Sequence, residues 1–199
     1  MEIIPLIHLK RRKIIEPKHS SNLSLKKILE RYKNKKLYIL DHDGLEKNKP
    51  NLCLYQKLSK YHEIWVDAGP QVLGDVVDSV ISGATTITIR KNLWRELNGS
   101  AIKEITENKI YSDVDFNNYN NPRTTSSLIY NVDGLVLFYK KNQIESDFKY
   151  VEYLKSICKR YETYAYEIKN ANAVYWKKLG VKGLLTEIDL MEEFEKFEF

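Results

Sequence analysis

Only two cysteines, Cys53 and Cys158, occur in 199 residues, and they form no CxxC pair. A disulfide framework is excluded, and a reducing compartment is the default. No apolar run approaches the ~18 residues that a membrane span needs. The opening Met1-Glu2-Ile3-Ile4-Pro5 lacks the basic start and long apolar core of a signal peptide. The expected location is therefore the cytoplasm, without a membrane partner. Excess charge is also scarce: 32 Lys and Arg against 27 Asp and Glu leave +5, spread along the chain. Nucleic-acid proteins usually gather a larger excess on one face, so no nucleic-acid partner is expected. What is present is 43% apolar and 30% charged. That is an ordinary globular composition with ample core, read as one domain over 1–199.

Continuous apolar runs of β type recur at Ile3–Leu9, Leu37–Asp41, Ile64–Asp67, Thr85–Ile89, Ile110–Asp115, Leu135–Tyr139, Thr163–Ile168 and Gly183–Ile188. Buried parallel strands read this way, whereas half-exposed antiparallel strands alternate. Helical spacing fills the gaps at Leu25–Tyr32 (capped by Ser24), Leu52–Tyr61, Leu73–Ile81, Leu93–Ile105, Thr124–Tyr130, Phe148–Tyr161 (capped by Asp147), Ala171–Leu179 (capped by Asn170) and Met191–Phe199. Eight βα units of about 25 residues predict a minimal (βα)₈ TIM barrel, with a doubly wound sheet as the alternative. Asn117–Asn121, a polar run before Pro122, reads as a loop.

A barrel gathers its chemistry where strands end. Those ends carry His8 and Lys10; Asp41, His42 and Asp43; Asp67, Gly69 and Gln71; Arg90 and Lys91; Asp113 and Asp115; Lys140 and Lys141; Glu167 and Lys169; Glu187 and Asp189. The aspartates with His8 and His42 make an acidic half-rim of the donor type that divalent cations take, yet no compact metal-ligand spacing exists. No metal or other cofactor is expected. Lys10-Arg11-Arg12-Lys13 is a short basic cluster, either a solvated loop or an attractor of phosphate or nucleic acid. Cys53 reads as a buried structural thiol, and Trp65 and Trp176 as packing residues.

Several of these strand ends carry a resemblance. Ile3-Ile4-Pro5-Leu6-Ile7-His8-Leu9-Lys10 resembles the opening strand of the histidine-biosynthesis barrels, ProFAR isomerase (HisA) and the imidazole-glycerol-phosphate synthase cyclase (HisF), usually Ile-Ile-Pro-x-Ile-Asp-Leu-Lys. Leu40-Asp41-His42-Asp43-Gly44 is similar to their second strand, Val-Asp-Leu-Asp-Gly. Trp65-Val66-Asp67-Ala68-Gly69, Ser112-Asp113-Val114-Asp115 and Leu179-Gly180-Val181-Lys182-Gly183-Leu184-Leu185 resemble the third, fifth and eighth units, in the same order along the chain. The likeness is to a HisA/HisF-related family of methanogens. It implies a barrel with acid–base chemistry on a phosphorylated metabolite, by aspartates ending strands one and five.

The departures limit what carries over. The strand-one aspartate is His8, while its partner is Asp115, or Asp113 if the register slips. Phosphate-binding glycine turns are reduced to Gly69, followed by Pro70, which has no N–H to give. Strands seven and eight end in Glu167 and Glu187, and Arg90-Lys91 stands where the family has Gly-Thr. The expectation is acid–base chemistry by His8, Asp113, Asp115, Asp41 and Asp43. Lys10, Asp67, Gly69, Arg90 and Lys91 would bind a small anionic metabolite, with the anion near Arg90, Lys91 and Gly69. The reaction would not be ProFAR isomerisation; archaeal cofactor biosynthesis is one setting. The alternative is a barrel without catalysis, serving as a binding or assembly subunit. Equally, the rim acids could pair with Lys140, Lys141 and Lys169 and close the mouth. An oligomer is compatible with all of this.

Overall fold

The computed structural model describes residues 1–15, 25–94, 99–114, 116 and 131–196. Its strands are β1 (Glu2–Lys10), β2 (Lys13–Ile14), β3 (Lys36–Asp41), β4 (Glu63–Asp67), β5 (Ala84–Ile89), β6 (Lys109–Asp113), β7 (Gly134–Leu137), β8 (Glu162–Tyr166) and β9 (Gly183–Glu187). All but β2 are parallel, in the order β1-β3-β4-β5-β6-β7-β8-β9, and β9 pairs back onto β1. The sheet is thus a closed eight-stranded barrel with helices between its strands, a (βα)₈ TIM barrel. Parallel pairing buries both faces of every strand, which is why the apolar runs are continuous.

The helices are α1 (Leu25–Arg31), α2 (His42–Lys47), α3 (Leu52–Leu58), α4 (Leu73–Ile81), α5 (Gly99–Ile105), α6 (Lys141–Glu145), α7 (Phe148–Cys158), α8 (Ala173–Lys178) and α9 (Met191–Glu195). None in the described residues is long and apolar enough to cross a membrane. Two of them, α2 and α6, have no counterpart in the sequence pattern, because six and five residues are too few to show a helical period. Several expected helices are shorter: α3 stops at Leu58, α7 stops at Cys158, and Leu93 and Trp94, the expected start ahead of α5, are not helical. Asp147 caps α7 through Lys149 N. Asn170 instead opens a 3₁₀ turn, Asn170–Asn172, ahead of α8, and makes no cap hydrogen bond. The expected cap Ser24, the helix Thr124–Tyr130 and the loop Asn117–Asn121 lie outside the described residues.

Apolar side chains form a shell between sheet and helices and a separate cluster inside the barrel. The inner cluster is Ile4, Leu6, Tyr38, Trp65, Tyr111, Val136, Tyr164 and Leu185. Its aromatic members interlock, with Trp65 4.3 Å from Tyr111 and edge-on to Tyr164 at 5.1 Å. Their polar tips find partners: Trp65 Nε1 donates to Thr88 Oγ1 at 2.8 Å, Tyr111 OH to Glu162 at 2.8 Å and Tyr164 OH to Glu2 at 2.6 Å. Glu2 and Glu162 begin their strands, so these contacts seal the N-terminal end. Chemistry is left to the opposite end.

Candidate active site at the barrel mouth

Alternation decides which strand-end residues face the mouth. Leu6 and Tyr38 point inward and lie opposite each other in the β1–β3 ladder, so His8 and Leu40 also point inward, while Leu9 and Asp41 point outward. Asp67, Arg90, Asp113, Phe138, Tyr166 and Glu187 continue the inward register on the other strands. Two polar clusters result.

The first is a carboxylate–imidazole–imidazole chain. His8 Nε2 lies 2.9 Å from Glu187 Oε1, and His8 Nδ1 lies 2.9 Å from His42 Nε2. The rings stack at 5.2 Å with 16° between their planes. Tyr166 OH also donates to Glu187 Oε1 at 2.6 Å. The carboxylate requires a proton on His8 Nε2. With both rings neutral, His8 Nδ1 then accepts from His42 Nε2–H, leaving a lone pair on His42 Nδ1. Burial, then the neighbouring His8 and Lys10, pushes the His42 pKa below its usual value. Its side chain is 29% exposed, with Nδ1 3.9 Å from Glu46 Oε1, so the imidazole meets solvent beside that carboxylate.

The second cluster surrounds Arg90. Its Nε and Nη2 bind both oxygens of fully buried Asp67 at 3.0 and 2.5 Å, and Nη1 lies 4.0 Å from Asp113. Tyr38 OH donates to Asp67 at 2.6 Å. The guanidinium covers the Phe138 ring at 4.1 Å. Burial opposes the Arg90 charge, but Asp67 outweighs it and the pKa is raised. Arg90, expected to bind an anion, is engaged in an internal ion pair with Asp67 and lies beside Asp113. Asp113 Oδ1 accepts Lys91 N at 2.7 Å.

Other expected residues serve the scaffold. Asp41 is fully buried and accepts from Asp43 N, Gly44 N, Asn51 N, Asn51 Nδ2 and Tyr55 OH. Expected as a catalytic residue, it points away from the mouth, caps α2 and ties down the chain before α3. Asp43 accepts from Asn51 Nδ2 and Arg12 N, both at 3.2 Å, and likewise fixes a loop. Gly69 has φ +62°, and a Cβ there would meet Leu93 and Leu45 at 2.6 and 2.9 Å. That conformation and that crowding call for glycine whether or not an anion binds. Lys10 pairs with Glu46 at 2.8 Å. Asp115 lies outside the described residues. Among those residues no three His, Cys, Asp or Glu side chains are placed to hold a metal. Cys53, expected to be buried, is exposed.

Glu167 is also spoken for. Its oxygens accept Ile168 N at 3.0 Å and Lys169 N, Asn172 Nδ2 and Trp176 Nε1 at 2.9 Å. The carboxylate takes the backbone N–H groups of the loop after β8, which an external anion would otherwise use. Beside it opens a cleft of about 470 Å³ lined by Lys140, Lys141, Lys169, Asn172 and Tyr166. Among the described residues, Glu187 bonds to His8 and Tyr166, and Glu167 bonds to its own loop, Asn172 and Trp176.

The His8–His42–Glu187 grouping was not readable beforehand. His42 is one of several rim residues in the sequence, and what distinguishes it from Asp41 and Asp43 is its contact with His8 at the start of α2. Neither a protein-family model nor a curated protein matches the sequence.

Proposed function

We propose that this barrel is an acid–base enzyme of isomerase or lyase type, acting at its mouth on a small anionic metabolite. The observation that carries the reading is the Glu187–His8–His42 chain. His42 Nδ1 takes a proton from an acidified C–H of the substrate. The resulting imidazolium is stabilised through His8 by the Glu187 carboxylate, as in other base-and-orienter pairs. Returning the proton to a neighbouring carbon completes an isomerisation; loss of a β-substituent completes an elimination. The lysines of the cleft beside Tyr166 supply the positive field for the anionic end. Their neighbour Glu167 is turned to its own loop, Asn172 and Trp176, whose four donors occupy its oxygens. In this reading the chain is a divergent HisA/HisF-like barrel of the cytoplasm. It works in a step other than ProFAR isomerisation, for which archaeal cofactor biosynthesis is one setting.

The second reading, a binding or assembly subunit without catalysis, is favoured by one observation, the occupation of the β8 loop N–H groups by Glu167. Incubation with a panel of phosphorylated sugars and oxo acids in D₂O separates the two, with solvent exchange followed by proton NMR. The enzyme reading predicts exchange with at least one compound, slowed by about 10²-fold or more in His42→Ala. Absence of exchange across the panel, or exchange untouched by His42→Ala and His8→Ala, overturns it in favour of the second.

A further inference from the structure

Outside the mouth, across α2, lies a larger cleft of about 840 Å³. Among the described residues, its charged lining is Arg11, Arg12, Lys47, Lys49 and Lys57 against one carboxylate, Asp43. That carboxylate is already engaged by Asn51 Nδ2 and Arg12 N, with Lys47 Nζ at 3.6 Å. Arg11, Arg12, Lys49 and Lys57 make no ion pair within the described residues. Five cations gathered around one committed carboxylate repel one another, and an anion relieves that repulsion.

The backbone supplies an independent indication. Leu9 pairs with Ile14 and Lys10 with Lys13, so Arg11 and Arg12 are the two residues of a hairpin loop. Their φ angles are +53° and +59°. A two-residue hairpin with positive φ at both positions normally takes Asn-Gly, and any branched or long side chain there is strained. A loop that only had to reverse the chain gains nothing from two arginines. Their side chains are what the strain preserves. The Ile15 N–H bonded to His8 O at 2.8 Å closes the hairpin, and the Arg12 N–H held by Asp43 ties it to α2. The backbone from which both exposed arginine side chains extend is therefore fixed, which leaves only side-chain rotamers to be ordered on a ligand.

We propose that this cleft binds a small molecule carrying a diphosphate. Guanidinium forks match phosphate oxygens two at a time, and the lysines add charge at the flanks. The volume is that of a cofactor-sized pocket rather than of a single ion. The partly buried Leu52 and Leu54 on its wall offer apolar surface to an organic group. The site is separate from the acid–base chain and stands whether or not the mouth is catalytic.

The test is calorimetric titration of the full chain with inorganic pyrophosphate at about 0.15 M salt. It is paired with mass-spectrometric measurement of iodoacetamide alkylation at Cys53, which lines the cleft and is exposed. Saturable binding is expected, with slowed alkylation of Cys53 but not of Cys158. Arg11→Asn with Arg12→Gly should weaken binding by about tenfold or more. The same double variant, relieved of strain, should melt about 2–4 °C higher or unchanged. Lys49→Ala with Lys57→Ala should weaken binding without touching the hairpin. Absence of saturable binding, binding indifferent to both double variants, or a single-stranded oligonucleotide that binds here without competition from pyrophosphate would overturn the proposal.

Discussion

Buried carboxylates do most of the organising in this molecule, and each can be tested singly. Asp41 accepts five hydrogen bonds with no solvent access. Asp41→Ala leaves at least four buried donors without their acceptor and removes the α2 cap. The expected cost is about 3–5 kcal/mol, read from urea unfolding. A loss under about 1 kcal/mol would mean that water replaces the carboxylate. Arg90→Ala strands fully buried Asp67 beside Tyr38. It should likewise cost about 3–5 kcal/mol, whereas Arg90→Ala with Asp67→Ala should cost less than Arg90→Ala alone. An anion-binding Arg90 would show the reverse, a stable variant that loses sulfate binding.

Histidine protonation adds a pH dependence. Burial, first among the causes, lowers the pKa values of His42 and His62 below the ordinary value. The unfolded chain titrates these groups near 6.5. Between that value and the lower folded one, the unfolded state binds more protons, so stability rises with pH. This contribution is fully present above about 6.5 and is lost as pH falls through the folded pKa. Denaturant midpoints should thus fall from about pH 7.5 to 5.5, a window above the carboxylate range. His42→Gln with His62→Gln should flatten the slope. A parent midpoint that is constant or rising toward pH 5.5 would contradict the assignment.

At the scale of elements, two connections share one device. After β3, Asp41 takes the N–H groups that open α2; after β8, Glu167 takes those of Ile168 and Lys169. An internal carboxylate stands where loop N–H groups converge, and each loop is fixed without a ligand. Glu167→Ala should therefore loosen the β8–α8 connection, visible as faster amide exchange at Ile168 and Lys169. It should also weaken the anchoring of Trp176, whose indole N–H is donated to the same carboxylate. Unchanged exchange would show that the loop is held by other contacts. These devices were only half legible. The barrel strands could be read because parallel burial writes continuous apolar runs, and Asp147 could be read as a cap because it precedes a helix of eleven residues. The carboxylates looked catalytic because a strand-end acid reads the same whether it faces the mouth or its own loop. Alternation along β3 separates the two cases, since Asp41 falls on the outward side with Leu9. The short α2 and α6 left no period to read.

Over the whole molecule, an aromatic plug and strand-start carboxylates fill one half of the barrel, and the polar clusters sit in the other. In the likeness proposed above, His8 stands where the histidine barrels carry a strand-one carboxylate, and Glu167 takes the N–H groups of the β8 loop. The protein should accordingly fail to restore growth to a strain lacking ProFAR isomerase; restored growth would show that His8 and Glu167 are compatible with that chemistry. The central claim is that a carboxylate-held histidine pair presents a neutral base at the mouth. Long-range proton–nitrogen NMR of the imidazoles, followed from about pH 5 to 8, reads it directly, with assignments from His8→Gln and His42→Gln. His8 and His42 should both carry a proton on Nε2, and His42 should titrate below 6.5, the ordinary value. A cationic His42 at neutral pH, or one carrying its proton on Nδ1, would contradict it.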